Sequence, residues 1–224
     1  MNARQEPNSE HPVQLVAEGV RLEGDLGIPE GACGVVLFAH GSGSSRHSPR
    51  NRFVAGFLRK AGLATLLMDL LTRAEEAEDA YTGHLRFDIG FLAQRLVAAT
   101  DWLSQNPDSA ELTVGCFGAS TGAAAALVTA AERPRVIRAV VSRGGRPDLA
   151  GAALPKVSAP TLLIVGGSDT PVIPLNREAL AKLSAAEKQL VIIPGATHLF
   201  EEPGALEEVA RLAADWFTRH LNAV

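Results

Sequence analysis

Cysteine is scarce in this chain: Cys33 and Cys116 are the only two among 224 residues. Both lie in or beside apolar runs, and neither belongs to a CxxC or Cys/His spacing. That excludes a structural zinc site and a disulfide framework, and it points to a reducing, cytoplasmic compartment. An excess of positive charge is also missing. With 21 Lys+Arg against 25 Asp+Glu the formal charge is −4, so no broad basic face is expected to hold nucleic acid. No segment approaches the ~18 consecutive apolar residues of a membrane span. The first 12 residues, MNARQEPNSEHP, hold no apolar run of the kind a secretory signal needs. They are read as a disordered N-terminus, and membrane partners are not expected. Internal repeats, low-complexity tracts and long linkers are absent as well. Residues 13–224, in a chain that is 46% hydrophobic and 21% charged, are therefore expected to bury a full core as a single domain.

What is present alternates. Short apolar runs of strand length recur at Val35 to Ala39, Leu63 to Met68, Leu112 to Phe117, Val136 to Val141, Thr161 to Val165 and Leu190 to Ile193. Each is rich in Val, Ile or Leu, as strands covered on both faces must be. Helical spacing separates them: Phe53, Phe57 and Leu58; Phe87 through Leu103; an Ala-rich run from Thr121 that stops before Pro134; Asn176 to Ser184; and Ala205 to Leu221. Alternating strands and helices imply parallel strands joined by right-handed crossovers. Ahead of them, Val13 to Ala17 and Val20 to Ile28 flank Glu18-Gly19, the pattern of an antiparallel hairpin at a sheet edge. The fold class is α/β, a mostly parallel central sheet with helices on both faces and an N-terminal antiparallel hairpin.

The third of these buried runs leads into Gly118-Ala119-Ser120-Thr121-Gly122, and the Ala-rich helix begins there. This is G-x-S-x-G in a strand, tight turn, helix setting. Its glycines let a strained turn pack against strand and helix while the serine hydroxyl is pushed into the open. The helix N-terminus adds partial positive charge for a developing oxyanion. A nucleophilic serine needs a base and the base an orienter, in the chain order Ser, acid, His. Asp169 follows the run ending at Val165, and His198 follows the run ending at Ile193, 29 residues later. Both fall at C-terminal strand ends, the same edge as Ser120. Taken singly, Ser120 reads equally as a helix N-cap, Asp169 as a turn residue and His198 as a loop histidine. Their joint order and placement make the triad the stronger reading. The first buried strand ends in His40-Gly41-Ser42-Gly43-Ser44-Ser45, where the backbone N–H groups of Ser42 and Thr121 are expected to form an oxyanion hole. A nucleotide loop is the competing reading of Gly-Ser-Gly, but a third glycine, a Walker lysine and an acidic ribose ligand are missing.

On these residues the chain resembles the α/β-hydrolase superfamily, and within it the dienelactone-hydrolase-like branch, from about Val13 to Leu221. The segment His40 to Asn51, HGSGSSRHSPRN, resembles bacterial proteins of that branch that occur alone or joined to a phosphoribosyltransferase-like domain; no second domain fits within these 224 residues. The resemblance implies an α/β-hydrolase fold, a serine esterase activity and no cofactor or metal. It departs from dienelactone hydrolases at the elbow, where they carry cysteine and this chain carries Ser120. Cys116, four positions earlier, reads as a small core residue.

Only 14 residues, Pro147 to Pro160, separate the Arg146 turn from the next strand, so no cap domain is expected. The acidic stretch Arg73 to His84 reads as a solvated loop or helix face rather than a lid, which predicts a shallow, open site. Arg46, Arg50, Arg73, Arg143 and Arg146 gather in loops at the catalytic edge. Arg46, Arg143 and Arg146 are candidates to bind a carboxylate or phosphate of the substrate. The competing reading is internal pairing, for example of Arg143 with Asp69. The sequence thus points to a cytoplasmic hydrolase of small acyl substrates, as monomer or homodimer. Thioesterase, lactonase and acyltransferase chemistry use the same residues, and a ligand-binding module without turnover is the rival from another class.

Overall fold

The computed structural model describes residues 10–222. Eight strands form one sheet: β1 (Glu10–Ala17), β2 (Val20–Gly27), β3 (Gly34–Ala39), β4 (Ala64–Met68), β5 (Thr113–Ala119), β6 (Ile137–Arg143), β7 (Thr161–Gly166) and β8 (Lys188–Ile193). Their spatial order is β1-β2-β4-β3-β5-β6-β7-β8. The hairpin β1–β2 is antiparallel with Leu15 opposite Leu22, and β2 runs antiparallel to β4. All remaining pairs are parallel. Glu18 and Gly19 turn the hairpin with φ of 49° and 82°, the doubly positive φ that matches the twist of two-residue hairpins.

Six helices flank the sheet: α1 (Pro49–Lys60), α2 (Arg73–Thr82), α3 (Ile89–Leu103), α4 (Thr121–Glu132), α5 (Val172–Lys182) and α6 (Ala205–Leu221). The alternation of side chains along the central strands β3 to β6 builds two cores. Val35, Leu37 and Ala39 of β3 join Leu92, Leu96 and Leu127 of α3 and α4, while Val36 and Phe38 join Leu58 and Phe217 of α1 and α6. Cys116 is fully buried in the first of these layers, and burial pushes its thiol up to about 12, consistent with a packing role.

Three expectations are adjusted. Glu10 to Pro12 belong to β1 rather than to a disordered tail: Glu10 pairs with Gly27, and its carboxylate takes Arg52 and Arg59 at 2.6 Å each. Residues 1–9 lie outside the described residues. Phe87 is an exposed residue of a short 3-10 turn, because Asp88 caps α3 by accepting from Phe91 N–H at 2.9 Å. The acidic stretch is helix α2, closed by a capping box between Thr72 and Glu75, and its inner face covers a cavity described below. Between β6 and β7, Pro147–Lys156 winds in 3-10 turns and inserts no further domain. No helix among the described residues is long and apolar enough to cross a membrane.

Candidate active site

Ser120 stands between β5 and α4 with φ 52° and ψ −122°, a sparsely populated conformation that costs about 1–3 kcal/mol and persists only when its surroundings impose it. The two glycines of the motif show why. A methyl on Gly118 would lie 2.4 Å from Ala123 Cα, and one on Gly122 would lie 2.3 Å from the Ala39 carbonyl oxygen, so strand, turn and helix pack at backbone distance. Although Ser120 occupies the N-cap position of α4, its side chain makes no capping bond. The hydroxyl is held out of the helix instead.

The loops after β7 and β8 are joined by their backbones: Gly167 N–H donates to Ile193 O at 2.8 Å and Ser168 N–H to Ala196 O at 2.9 Å. This brings Asp169 Oδ2 within 2.7 Å of His198 Nδ1. The Asp169 side chain is largely buried, while His198 keeps 39% of its side chain exposed. An imidazole that donates from Nδ1 to a carboxylate leaves Nε2 as the basic lone pair. Gly144, just past β6, lies against this loop, since a Cβ there would sit 2.9 Å from His198 O. Ser120 N–H in turn donates to Arg143 O at 3.3 Å. The three residues therefore meet at one sheet edge, although no hydrogen bond joins Ser120 Oγ to His198 among the described residues. Such contacts commonly tighten only once substrate is bound.

On the opposite side of Ser120 lies the loop after β3. Thr121 opens α4, so its N–H has no intrahelical acceptor. Ser42 N–H is engaged: it donates to Thr121 Oγ1 at 3.1 Å, and the two hydroxyls are 3.0 Å apart. The amide expected to hold an oxyanion is thus occupied by the Thr121 hydroxyl at the start of α4. His40 anchors this loop. Leu70 N–H donates to its Nε2 at 3.0 Å, so Nε2 is unprotonated and Nδ1 donates to Gly41 O at 3.0 Å. Burial pushes the pKa of His40 below its usual 6.5, outweighing the Gly41 carbonyl and the charges of Asp69 and Glu76.

A cavity of about 130 Å³ opens beside Ser42 and Thr121. Leu70, Leu71, Ala80 and Leu92 supply its apolar wall, and Glu76, Asp79 and Arg86 close it from the α2 side. Asp79 is buried, and it accepts from Leu85 N–H at 2.7 Å and from Arg86 Nε at 2.5 Å. Burial alone would push Asp79 up; the bonds from Arg86 and from the backbone N–H groups of Leu85 and Arg86 prevail and hold its carboxyl below the usual range. The expectation of a shallow, fairly open site is adjusted accordingly, because α2 roofs one side.

The candidate anion-binding arginines separate into two kinds. Arg46 is held by Asp69, by Glu23 at 2.6 Å and by Asp25 at 3.6 Å, and Arg146 grips Asp148 through two bonds of 2.8 and 2.9 Å. Internal pairing therefore describes both. Arg143 does not pair with Asp69, whose partner is Arg46; it has no acidic partner among the described residues, and its Nε is buried without a hydrogen bond. Sequence reading placed His40 correctly but gave it no role; it took Asp79 as part of a solvated acidic run, whereas Asp79 is buried, and it passed over Arg86, whose seven-residue separation from Asp79 carries no motif.

Comparison with known proteins places this geometry in a family. A Mycobacterium tuberculosis protein provisionally named a phosphoribosyl transferase is 60% identical over 216 residues, 96% of this chain and 47% of the relative. The chain thus spans about half the length of the curated relatives it matches. The crystal structure of a dienelactone hydrolase from Anabaena variabilis is 64% identical, covers 96% of this chain and all of its own, and superposes with a TM-score of 0.94. Est1E from Butyrivibrio proteoclasticus, 16% identical, shares the fold with a TM-score of 0.76 over 93% of this chain and 98% of its own. The profile of the dienelactone hydrolase family matches residues 22–223. With that match and the Anabaena variabilis structure together, the chain belongs to the dienelactone hydrolase family.

Proposed function

We propose that this hydrolase is a serine esterase of the carboxylesterase type, cleaving small ester or related acyl substrates through an acyl-enzyme. The 2.7 Å bond between His198 and Asp169, on the same sheet edge as the strained Ser120, carries the reading. Ser120 Oγ attacks the substrate carbonyl while His198 Nε2 accepts its proton. Asp169 fixes the imidazole tautomer and stabilises the imidazolium that forms. The tetrahedral oxyanion is held by Thr121 N–H and by Ser42 N–H, the latter after the substrate oxygen displaces Thr121 Oγ1. His198 then protonates the leaving oxygen, and water, activated by the same imidazole, releases the acid and restores Ser120. No step calls for a cofactor. The transferase name of the Mycobacterium tuberculosis relatives is read as belonging to the half of their length outside the match.

The experiment is mass spectrometry after treatment with a fluorophosphonate, with p-nitrophenyl acetate turnover followed in parallel. One adduct on Ser120 is expected, absent from Ser120→Ala and suppressed in His198→Ala, with turnover lost by about 10³-fold or more in both. Folded protein that takes up no adduct and turns over no ester would overturn the reading in favour of a binding module.

A further inference from the structure

Thr121 is buried at the first position of α4, yet its hydroxyl makes no bond to its own helix among the described residues. Its partners lie 79 positions away: Ser42 N–H at 3.1 Å and Ser42 Oγ at 3.0 Å. Ser42 Oγ also donates to the Arg86 carbonyl at 3.2 Å. A hydroxyl has one proton and two lone pairs, so these three contacts admit a single direction. Ser42 spends its proton on the Arg86 carbonyl, which leaves Thr121 as the donor to Ser42 Oγ, and Thr121 Oγ1 in turn accepts from Ser42 N–H. Both hydroxyl protons are then used. The outer end of this relay is fixed to α2, because the Arg86 guanidinium donates to Asp79 Oδ2 at 2.5 Å and to the Asp79 carbonyl at 2.7 Å.

The relay stands against Ser120. A Cβ on Gly41 would lie 3.0 Å from Ser120 Cβ, and Ser42 N–H belongs to the next residue, while Thr121 follows Ser120 directly. Under the esterase reading, on which this inference rests, Ser42 N–H has to reach the developing oxyanion. We propose that the Thr121 side chain is a positioning residue, a latch that keeps Ser42 N–H occupied in the free enzyme and against a neutral carbonyl, and yields it only to the oxyanion. The strengths of the competing bonds set this order. A neutral carbonyl offers the amide no more than the Thr121 hydroxyl does, whereas an oxyanion makes a charge-assisted bond roughly twice as strong. The exchange is favourable only once the tetrahedral charge has formed, so the contribution of Ser42 N–H is reserved for the transition state. Through Ser42 Oγ and the Arg86 carbonyl, the latch also depends on the α2 roof being in place.

Two measurements test this, and only the second needs turnover. Amide hydrogen exchange at Ser42, read by NMR, is expected to speed up by about tenfold in Thr121→Val and to stay at the wild-type rate in Thr121→Ser, which keeps the hydroxyl. Equal exchange in all three proteins overturns the latch. Inhibition of p-nitrophenyl acetate hydrolysis by p-nitroacetanilide then reads recognition of a neutral carbonyl. Thr121→Val is expected to lower its inhibition constant by about fivefold, the worth of one neutral hydrogen bond, with kcat within about twofold of wild type. Thr121→Ser should match the wild type in both. Ser42→Ala keeps the amide and removes the acceptor of the Thr121 proton; Ser42 is exposed, so the fold is not at issue, and a shift of about twofold in the same direction is expected. An inhibition constant unchanged or raised in Thr121→Val, or a Thr121→Ser that behaves as Thr121→Val does, overturns the proposal. A wild type whose Ser42 exchange responds as stated but which hydrolyses no ester leaves the hydrogen-bonded latch standing and removes the esterase reading.

Discussion

His40 shows how one residue ties the loop after β3 to the sheet and makes that loop sensitive to acid. Its two ring nitrogens are both occupied, Nε2 by the Leu70 N–H and Nδ1 by the Gly41 carbonyl, and this arrangement exists only for the neutral ring. Burial disfavours the charged ring and holds the folded pKa below 6.5; protonation would also set a second N–H against the Leu70 amide. The unfolded chain therefore binds more protons than the folded one below about pH 6.5. The stability contributed by neutral His40 is complete above that pH and is lost as pH falls toward the folded pKa, by about 1.4 kcal/mol per pH unit. His220, also displaced downward, chiefly by partial burial, adds a slope of the same sign. Urea unfolding at pH 7.5 and about pH 5.5 should therefore show the wild type losing more stability than His40→Gln. An equal loss in both proteins would place the acid sensitivity elsewhere.

Helix α2 shows the same logic in an element. Its sequence, RAEEAEDAYT, carries five charges in ten residues and no apolar stripe, so little hydrophobic burial holds it in place. It is tied down by side chains: at its start the Thr72 and Glu75 capping box and the Arg95–Glu75 pair at 2.7 Å, and toward its end buried Asp79 gathering Leu85, Arg86 and the Arg86 guanidinium beyond its C-terminus. Replacing Asp79 by Asn removes the charge that Arg86 pairs with and leaves that guanidinium against a neutral amide. Amide hydrogen exchange over residues 73–82 is expected to speed up by about tenfold in Asp79→Asn, with α4 unaffected. The rate advantage of short-chain over long-chain p-nitrophenyl esters should shrink as the roof loosens. If α2 exchanges at the wild-type rate, Asp79 is not what holds the roof.

At the scale of the molecule, what was legible in the sequence was what local pattern encodes. The continuous apolar runs at Val35 to Ala39 and Thr161 to Val165 announce strands buried on both faces, and the glycines around Ser120 announce the elbow because backbone contact at 2.3 to 2.4 Å from a would-be methyl admits nothing larger. Asp169 and His198 are placed at neighbouring strand ends by chain order, and a 2.7 Å bond joins them. What stayed hidden depends on partners distant in the chain: Ser42 N–H finds Thr121 across 79 residues, Arg46 finds Asp69 across 23, and Glu10 pairs with Gly27 while its carboxylate meets Arg52 and Arg59. Arg143 was visible as a cation, but its lack of a partner is a property of the assembled edge alone. The two core layers lie on opposite faces of one uninterrupted sheet, and each has its own tryptophan: Trp102 packs on the layer of α3 and α4, Trp216 within the layer of α1 and α6. Because β3, β4, β5 and β6 contribute side chains to both layers, neither layer can lose these central strands while the other keeps them. Denaturant unfolding followed by fluorescence should accordingly give the same midpoint in Trp102→Phe, which reports Trp216, as in Trp216→Phe, which reports Trp102, after each is referred to its own far-UV transition. Two midpoints in either variant would mean that one face melts alone and that the chain is not a single cooperative unit; coincidence would tie the stability of the Ser120 edge to both faces at once.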